Sequence, residues 1–252
     1  MNVKAYLERI NYRGSIEPSA KTLRDLQIAH LLNVPFENLS IHAKQPIVLD
    51  DDALFQKIVN RRRGGFCYEA NGLFTALLRA VGFTVTMLSA RVANAEGGFG
   101  PDFDHMTLMV TIDERYLVDV GFGDSFREPL FMDERGEQAQ GRRAYTIIPD
   151  GAHLILMQRD DSDEWKPQYC FTLRAHEYAD YAEMCRYHQT SPQSRFTKAR
   201  VCSRATEEGR VTLSGMRFIT TSGNGERQER TLTSEEEYAE VLGEHFGIRI
   251  NG

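Results

Sequence analysis

Cysteine is scarce in this chain of 252 residues: four occur, at positions 67, 170, 185 and 202, and none stands at metal-ligand spacing from another. So few thiols exclude a disulfide-stapled scaffold, imply no metal site and fit a reducing, cytoplasmic setting. Long apolar runs are also missing. None approaches the ~20 residues that a membrane-spanning helix needs. The start, Met1-Asn2-Val3-Lys4, leads straight into an amphipathic pattern without a signal-peptide core. Positive charge is in deficit: 30 Lys and Arg stand against 36 Asp and Glu, for a formal net charge of -6, which argues against a nucleic-acid partner. Arg61-Arg62-Arg63 is the one tight basic run, read as a solvated helix end plus a structural arginine. No internal repeat, low-complexity segment, Walker motif or strand-borne Gly-x-Gly-x-x-Gly is present.

What remains is globular in composition, 41% hydrophobic and 26% charged, enough for one large domain or two or three small ones. Helical patterns come first. Residues 3–9 predict a short helix, and Pro18-Ser19 open a second with Leu23, Leu26 and His30 on one side. Its end falls near Asn33, because the residue before Pro35 avoids helical angles. Asp50 to Asp52 cap a third helix. Periodicity then turns to that of strands: Phe83 to Val92, Asp104 to Ile112, Arg115 to Val120, Tyr145 to Pro149, Ala152 to Arg159 and Gln168 to Leu173. Glycine-rich 93–101 reads as a loop, and His176 to His188 as a helix. Strands at 210–213, 216–221 and 226–232 follow, separated by Ser214-Gly215 and Gly223-Asn224-Gly225 turns. A last helix is marked by a Thr233/Glu236 capping box. Helices, then strands, then a mixture suggest three sub-regions of an α+β chain with no repeating βαβ unit.

One stretch concentrates the chemistry: Arg63-Gly64-Gly65-Phe66-Cys67-Tyr68-Glu69-Ala70-Asn71-Gly72. The glycine pair allows backbone angles closed to other residues and close approach of a ligand. Leu73, Leu77 and Leu78 keep helical spacing up to Val81-Gly82, so Cys67 is expected at a helix N-terminus, where the helix dipole favours a reactive thiolate. A nucleophilic cysteine needs a base and a group to orient that base. His105 opens an alternating strand. Asp119 ends the next one, a carboxylate in an apolar strand that is costly unless paired. The bland reading stays open at this point: a cysteine near glycines is more commonly an inert core residue, and a histidine at a strand start a hydrogen-bonded structural one. Geometry discriminates. A two-residue turn between the strands puts His105 and Asp119 on opposite faces. A three-residue loop at 112–114, or a bulge, puts Asp119 opposite Thr107 on the face of His105.

Other residues carry paired readings. Arg63 either binds an acyl or phosphate group or pairs with Glu37 to brace the turn before Cys67. Phe36, Phe122 and Phe196 either line an aromatic pocket or sit in the core. The segment from His188 to Phe196 is a hydroxyl-rich loop. Cys170, Cys185 and Cys202 read as inert, and His30, His153, His176 and His245 as structural or surface residues.

The stretch around Cys67 resembles the signature of the arylamine N-acetyltransferases, Arg-Gly-Gly-aromatic-Cys-aromatic-Glu-x-Asn-Gly. Pro35-Phe36-Glu37-Asn38-Leu39, His105-Met106-Thr107-Leu108 and Val118-Asp119-Val120-Gly121-Phe122-Gly123 resemble further segments of the same family. The resemblance implies an N-terminal helical bundle (1–82) with the cysteine, a middle β-barrel (83–188) with the histidine and aspartate, and a C-terminal α/β lid (189–252), around a cysteine-protease-like Cys-His-Asp core. It implies a Cys67-His105-Asp119 triad, an Arg63–Glu37 brace, pocket positions at Phe122 and Phe196, with Phe36 undecided, and Ser194 as a hydrogen-bond donor to coenzyme A. Acetyl-coenzyme A is the implied co-substrate and an aromatic amine the acceptor, with no permanently bound cofactor and no metal. An amide synthase of the same superfamily, acting on a carrier-bound acyl chain, and a cysteine hydrolase are the alternatives. Asp104 and Asp124 depart from the family pattern and put acceptor preference in doubt. The chain also ends soon after Ile248, which leaves little tail to fill a cleft.

Overall fold

A computed structural model describes residues 1–160 and 164–249. Its first third is helical. α1 (Val3–Arg9) is capped by Asn2, and α2 (Ala20–Asn33) by Ser19, whose hydroxyl accepts the Thr22 N–H. α2 stops at Asn33, as Pro35 requires. A two-residue strand β1 (Phe36–Glu37) and one helical turn α3 (Leu39–His42) follow. α4 (Asp51–Phe55) starts on Asp50, which accepts the N–H groups of Asp52 and Ala53, and runs into a π-helical turn, Gln56–Asn60, that periodicity did not predict. α5 (Cys67–Ala80) is buried from Cys67 through Leu78, and Gly82 at φ +99° ends it.

The middle of the chain is one antiparallel sheet. Its strands are β2 (Thr84–Val92), β3 (His105–Thr111), β4 (Arg115–Val118), β5 (Leu130–Phe131), β6 (Gln138–Gln140), β7 (Arg143–Asp150), β8 (His153–Arg159) and β9 (Lys166–His176), in spatial order 5-4-3-2-9-8-7-6. The edge strands β5 and β6 face each other across a nearly closed barrel. Gln138 spans the seam, accepting from Phe131 N–H at 2.8 Å and donating to Phe131 C=O at 2.9 Å. Edge groups that would otherwise stay unpaired are satisfied this way. Alternation divides the apolar residues of these strands. Leu88, Leu117, Tyr145, Leu156, Tyr169 and Phe171 fill the interior, while Met87, Met106, Leu108 and Val118 pack outward against α5. β3 and β4 pair Leu108 with Val118 and Thr111 with Arg115, so the connection is the three-residue loop 112–114. This register sets Asp119 on the face of His105.

After the barrel come α6 (Tyr178–Thr190), a short α7 (Arg195–Lys198), and strands β10 (Val201–Thr206), β11 (Gly209–Ser214), β12 (Arg217–Ser222) and β13 (Arg227–Thr231). β1 joins these four at the β10 edge, through Phe36 opposite Ser203 and Glu37 opposite Cys202. β10 was not expected from sequence, and it ties the start of the chain to its end. Gly223-Asn224-Gly225 is the β12–β13 turn. α8 (Glu235–Phe246) packs on this sheet through Tyr238, Val241, Leu242 and Phe246. Its cap lies one residue later than expected. Ser234 accepts the Glu237 N–H, and the Glu237 carboxylate takes the N–H and hydroxyl of Thr233.

Asp124 links the barrel to this second sheet. Arg143 on β7 donates to its two oxygens at 2.7 and 2.8 Å, and Arg210 on β11 lies 3.0 Å away. Burial raises its pKa, but the two guanidinium groups outweigh this and bring it down to about 2. The sign follows: a carboxyl held below its ordinary 3.8 adds stability above pH 4 that is lost as pH falls toward 2. Asp124→Asn should therefore lower the midpoint of urea unfolding at pH 7 and flatten its decline between about pH 4 and 2. Parallel acid limbs in the two proteins would contradict the assignment.

Candidate active site

The turn before α5 is held from behind by a buried set of charges. Arg63 Nε donates to Glu37 Oε1 at 3.0 Å, with Nη2 2.8 Å from the same oxygen. Lys57 Nζ, from the π-helical turn, donates to both oxygens of Glu69 at 2.7 and 2.9 Å and lies 3.8 Å from Glu37. Glu69 in turn accepts the Phe66 N–H at 3.2 Å. Burial raises the pKa of both carboxyls. At Glu37 the cations of Lys57 and Arg63 and the Leu39 N–H prevail and the net shift is downward, while at Glu69 burial prevails. Sequence reading found the Arg63–Glu37 pair and missed Lys57, which a basic run and an amphipathic helix conceal.

Gly64 and Gly65 are needed for a different reason than expected. Neither has a positive φ. A Cβ on Gly64 would stand 1.9 Å from the Pro35 carbonyl oxygen, and one on Gly65 would stand 2.6 Å from the Glu69 Cβ. It is the protein's own backbone and side chain that come close here.

Cys67 is the first residue of α5 and is 3% exposed. The helix N-terminus and the Met106 amide favour its thiolate, yet burial outweighs them and pushes the thiol pKa up. The helix dipole and burial thus act in opposite directions on this thiol, and burial is the larger of the two. Burial also raises Cys170, Cys185 (to about 12) and Cys202.

His105 and Asp119 meet at the rim of the barrel. His105 Nε2 lies 2.6 Å from Asp119 Oδ2, and both side chains are buried. Three more donors converge on the carboxylate: Tyr169 Oη at 3.2 Å, Asn71 Nδ2 at 2.9 Å and the Gly121 N–H at 2.9 Å. Burial raises the Asp119 pKa, but His105, Asn71 and the Gly121 N–H reverse the shift and hold it below the ordinary value. An ionised Asp119 accepts from Nε2–H, which leaves the Nδ1 lone pair of a neutral His105 free to take a proton. Asn71 is one turn along α5 from Cys67 and so on the same side of the helix. It also donates to Met106 C=O at 2.6 Å and accepts the Val120 N–H at 2.9 Å, joining α5 to β3 and to the segment after β4. A Cβ on Gly121 would sit 2.7 Å from the Cys67 Cα, which shows how closely that segment is drawn onto α5. Asn71 is visible in the sequence only as a position of the motif four residues after Cys67, and Tyr169 carries no signal.

The aromatic residues divide. Phe122 stands edge-on to His105 and to Tyr169, with ring centroids 5.1 Å apart in each case. Phe36 and Phe196 contact each other at 6.1 Å, and Phe196 packs on Phe66 at 5.6 Å. Ser194 is 2% exposed and engaged locally: it caps α7, accepting the Phe196 N–H, with its hydroxyl 3.2 Å from His188 Nδ1. The expected donor to coenzyme A thus points into the protein. The two acidic departures are engaged as well. Asp124 sits between its arginines, and Asp104 Oδ1 lies 3.3 Å from His188 Nε2.

The N-acetyltransferase family matches residues 19–252. The chain belongs to the arylamine N-acetyltransferase family. It is 30% identical over 250 residues to the arylamine N-acetyltransferase / N-hydroxyarylamine O-acetyltransferase of Salmonella typhimurium, covering 98% of this chain and 89% of that one. It is 31% identical over 249 residues to proansamycin X synthase of Amycolatopsis mediterranei, covering 96% and 95%. The structure of Mycobacterium marinum arylamine N-acetyltransferase in complex with CoA superposes with a TM-score of 0.90 at 32% identity, over 98% of this chain and 93% of that one. Among the described residues of this N-acetyltransferase no group of side chains is arranged to hold a metal ion, and no helix is long and apolar enough to cross a membrane.

Asn71→Ala removes three buried side-chain hydrogen bonds, to Met106 C=O, to Asp119 and from the Val120 N–H. It should cost about 2–4 kcal/mol in denaturant unfolding. A loss under about 1 kcal/mol would contradict the role given to Asn71 in joining α5 to the barrel.

Proposed function

We propose that this protein transfers the acetyl group of acetyl-coenzyme A to the nitrogen of arylamines, arylhydrazines or arylhydroxylamines through an acetyl-cysteine on Cys67. The observation that carries this reading is the buried His105–Asp119 pair, 2.6 Å apart, at the rim where α5 presents Cys67. Membership of the family supports the choice of substrates.

His105 Nδ1 takes the Cys67 proton, and the thiolate attacks the thioester carbonyl carbon. The oxyanion gains from backbone N–H groups at the start of α5. Collapse of the tetrahedral intermediate breaks the bond to the coenzyme sulfur, and the coenzyme leaves as its thiol with the proton from His105. The amine then attacks the acetyl-cysteine, His105 removes its proton, and Cys67 is released as product forms. Asp119 keeps His105 in the useful tautomer and stabilises the imidazolium. Phe122, edge-on to His105, offers its ring to the acceptor, and Phe196 and Phe36 extend the apolar wall. Arg63 and Glu37 brace the turn. Ser194 contributes to the coenzyme cleft by shaping the 188–196 loop. In this reading the helical residues 1–82, the barrel 83–188 and a lid from 189 onward surround a core like that of a cysteine protease. The four free, buried thiols fit a reducing cytoplasmic compartment.

Similarity to proansamycin X synthase keeps a second reading in view, an amide synthase fed by a carrier-bound acyl chain. Intact-mass spectrometry after mixing with acetyl-coenzyme A separates the two. The expected result is one acetyl group on Cys67, absent in Cys67→Ala and discharged by an arylamine faster than by water. No acetylation would overturn the reading, and rapid discharge by water alone would indicate a hydrolase. Phe122→Ala should slow discharge by the arylamine about tenfold or more while changing formation of the acetyl-enzyme little. Equal losses in both steps would assign Phe122 to folding.

A further inference from the structure

On α5, Glu69 lies two residues before Asn71, about 200° around the helix from it. The triad is on the Asn71 side. The opposite side opens into a cleft of about 830 Å³ between α3, α4 and the segment joining them. Its charge is the reverse of the chain's. Lys57, Arg61, Arg63, Arg200 and Arg249 line it, with Glu69 as the one acidic residue among the described residues of its walls, in a protein of net charge -6. Lys57 and Arg63 are held by Glu69 and Glu37, and Arg200 by Glu235. Among the described residues Arg61 and Arg249 have no carboxylate partner, and both are exposed at the cleft. Leu39, Ile47, Val48 and Leu54 provide an apolar wall, and Val48 is 57% exposed.

A concave site of this size, with an apolar wall and unpaired guanidinium groups among its lining, suits an anion that carries an apolar body. Guanidinium matches the oxygens of a phosphate in paired hydrogen bonds. We infer that this cleft binds a small organic phosphate, held by Arg61 and Arg249 at its charged end and by Leu39, Ile47 and Val48 along its body. The cleft lies on the flank of α5 away from the triad, and neither arginine belongs to the catalytic arrangement. Such a phosphate can be a free metabolite ester or the phosphate-bearing end of coenzyme A.

Calorimetric titration with phenyl phosphate tests the inference, and it does not depend on the transfer reaction. The full-length protein should bind the probe, and Arg61→Glu/Arg249→Glu should bind it about tenfold or more weakly. Thermal unfolding without ligand checks that the double variant is folded, and a single Arg61→Gln variant serves if it is not. Repeating the titration with coenzyme A at saturation separates the sources. Undiminished binding of phenyl phosphate assigns the cleft to a separate ester, and displacement assigns it to the coenzyme's own phosphates. Absence of binding at millimolar probe, or equal affinity in the charge-changed variants, overturns the proposal.

Discussion

A carboxylate without water is the constraint around which this molecule is arranged. Asp119 is 3% exposed at the end of an apolar strand. Burying an unpaired charge costs several kcal/mol. Here His105, Asn71, Tyr169 and the Gly121 N–H surround the two oxygens, each from a different part of the chain. Satisfying one carboxylate therefore fixes the relation of α5, β3, β9 and the segment after β4. The arrangement that satisfies Asp119 also sets His105 with one ring nitrogen bonded and the other free. In the proposed mechanism, stability and proton transfer draw on the same contacts.

Behind Cys67 a second buried network performs the matching task for the turn. Glu37, Lys57, Arg63 and Glu69 contain two charges of each sign, so the group is neutral as a whole. Glu37 also reaches the C-terminal sheet through its strand pairing with Cys202. Removing any one member leaves an uncompensated charge in the interior, the costly case for buried ion pairs. The glycines serve this packing, because the Pro35 carbonyl and Glu69 occupy the space a side chain would need.

Local signals in the sequence were dependable where one short-range interaction decides. Ser19 and Asp50 as caps, Asn33 as the last helical residue before Val34-Pro35, and the change from helical to alternating pattern near Phe83 all follow from contacts within a few residues. The β3–β4 loop length followed from a longer inference: side chains alternate, so a paired His105 and Asp119 demand three residues at 112–114. What was not legible depends on distant partners. β10 is a six-residue segment whose pairing with β1 links positions far apart in the chain. Lys57 looks like any helix-surface lysine until Glu69 is folded over it. The helix terminus at Cys67 is legible in the sequence, but the extent of its burial, which opposes the dipole, is a tertiary property. Ser194 illustrates the same limit, since a hydroxyl in a polar loop gives no sign that it will cap a helix.

The central claim is that His105, oriented by Asp119, is what makes the buried Cys67 nucleophilic. The most direct test is the pH dependence of Cys67 alkylation by iodoacetamide, followed by peptide mass spectrometry in the parent protein and in His105→Ala. The account predicts that the parent reacts readily near neutral pH. In His105→Ala the reactivity should move to strongly alkaline pH, as for a buried thiol without a base. Superimposable profiles would contradict it, because the helix terminus alone would then suffice to ionise the thiol.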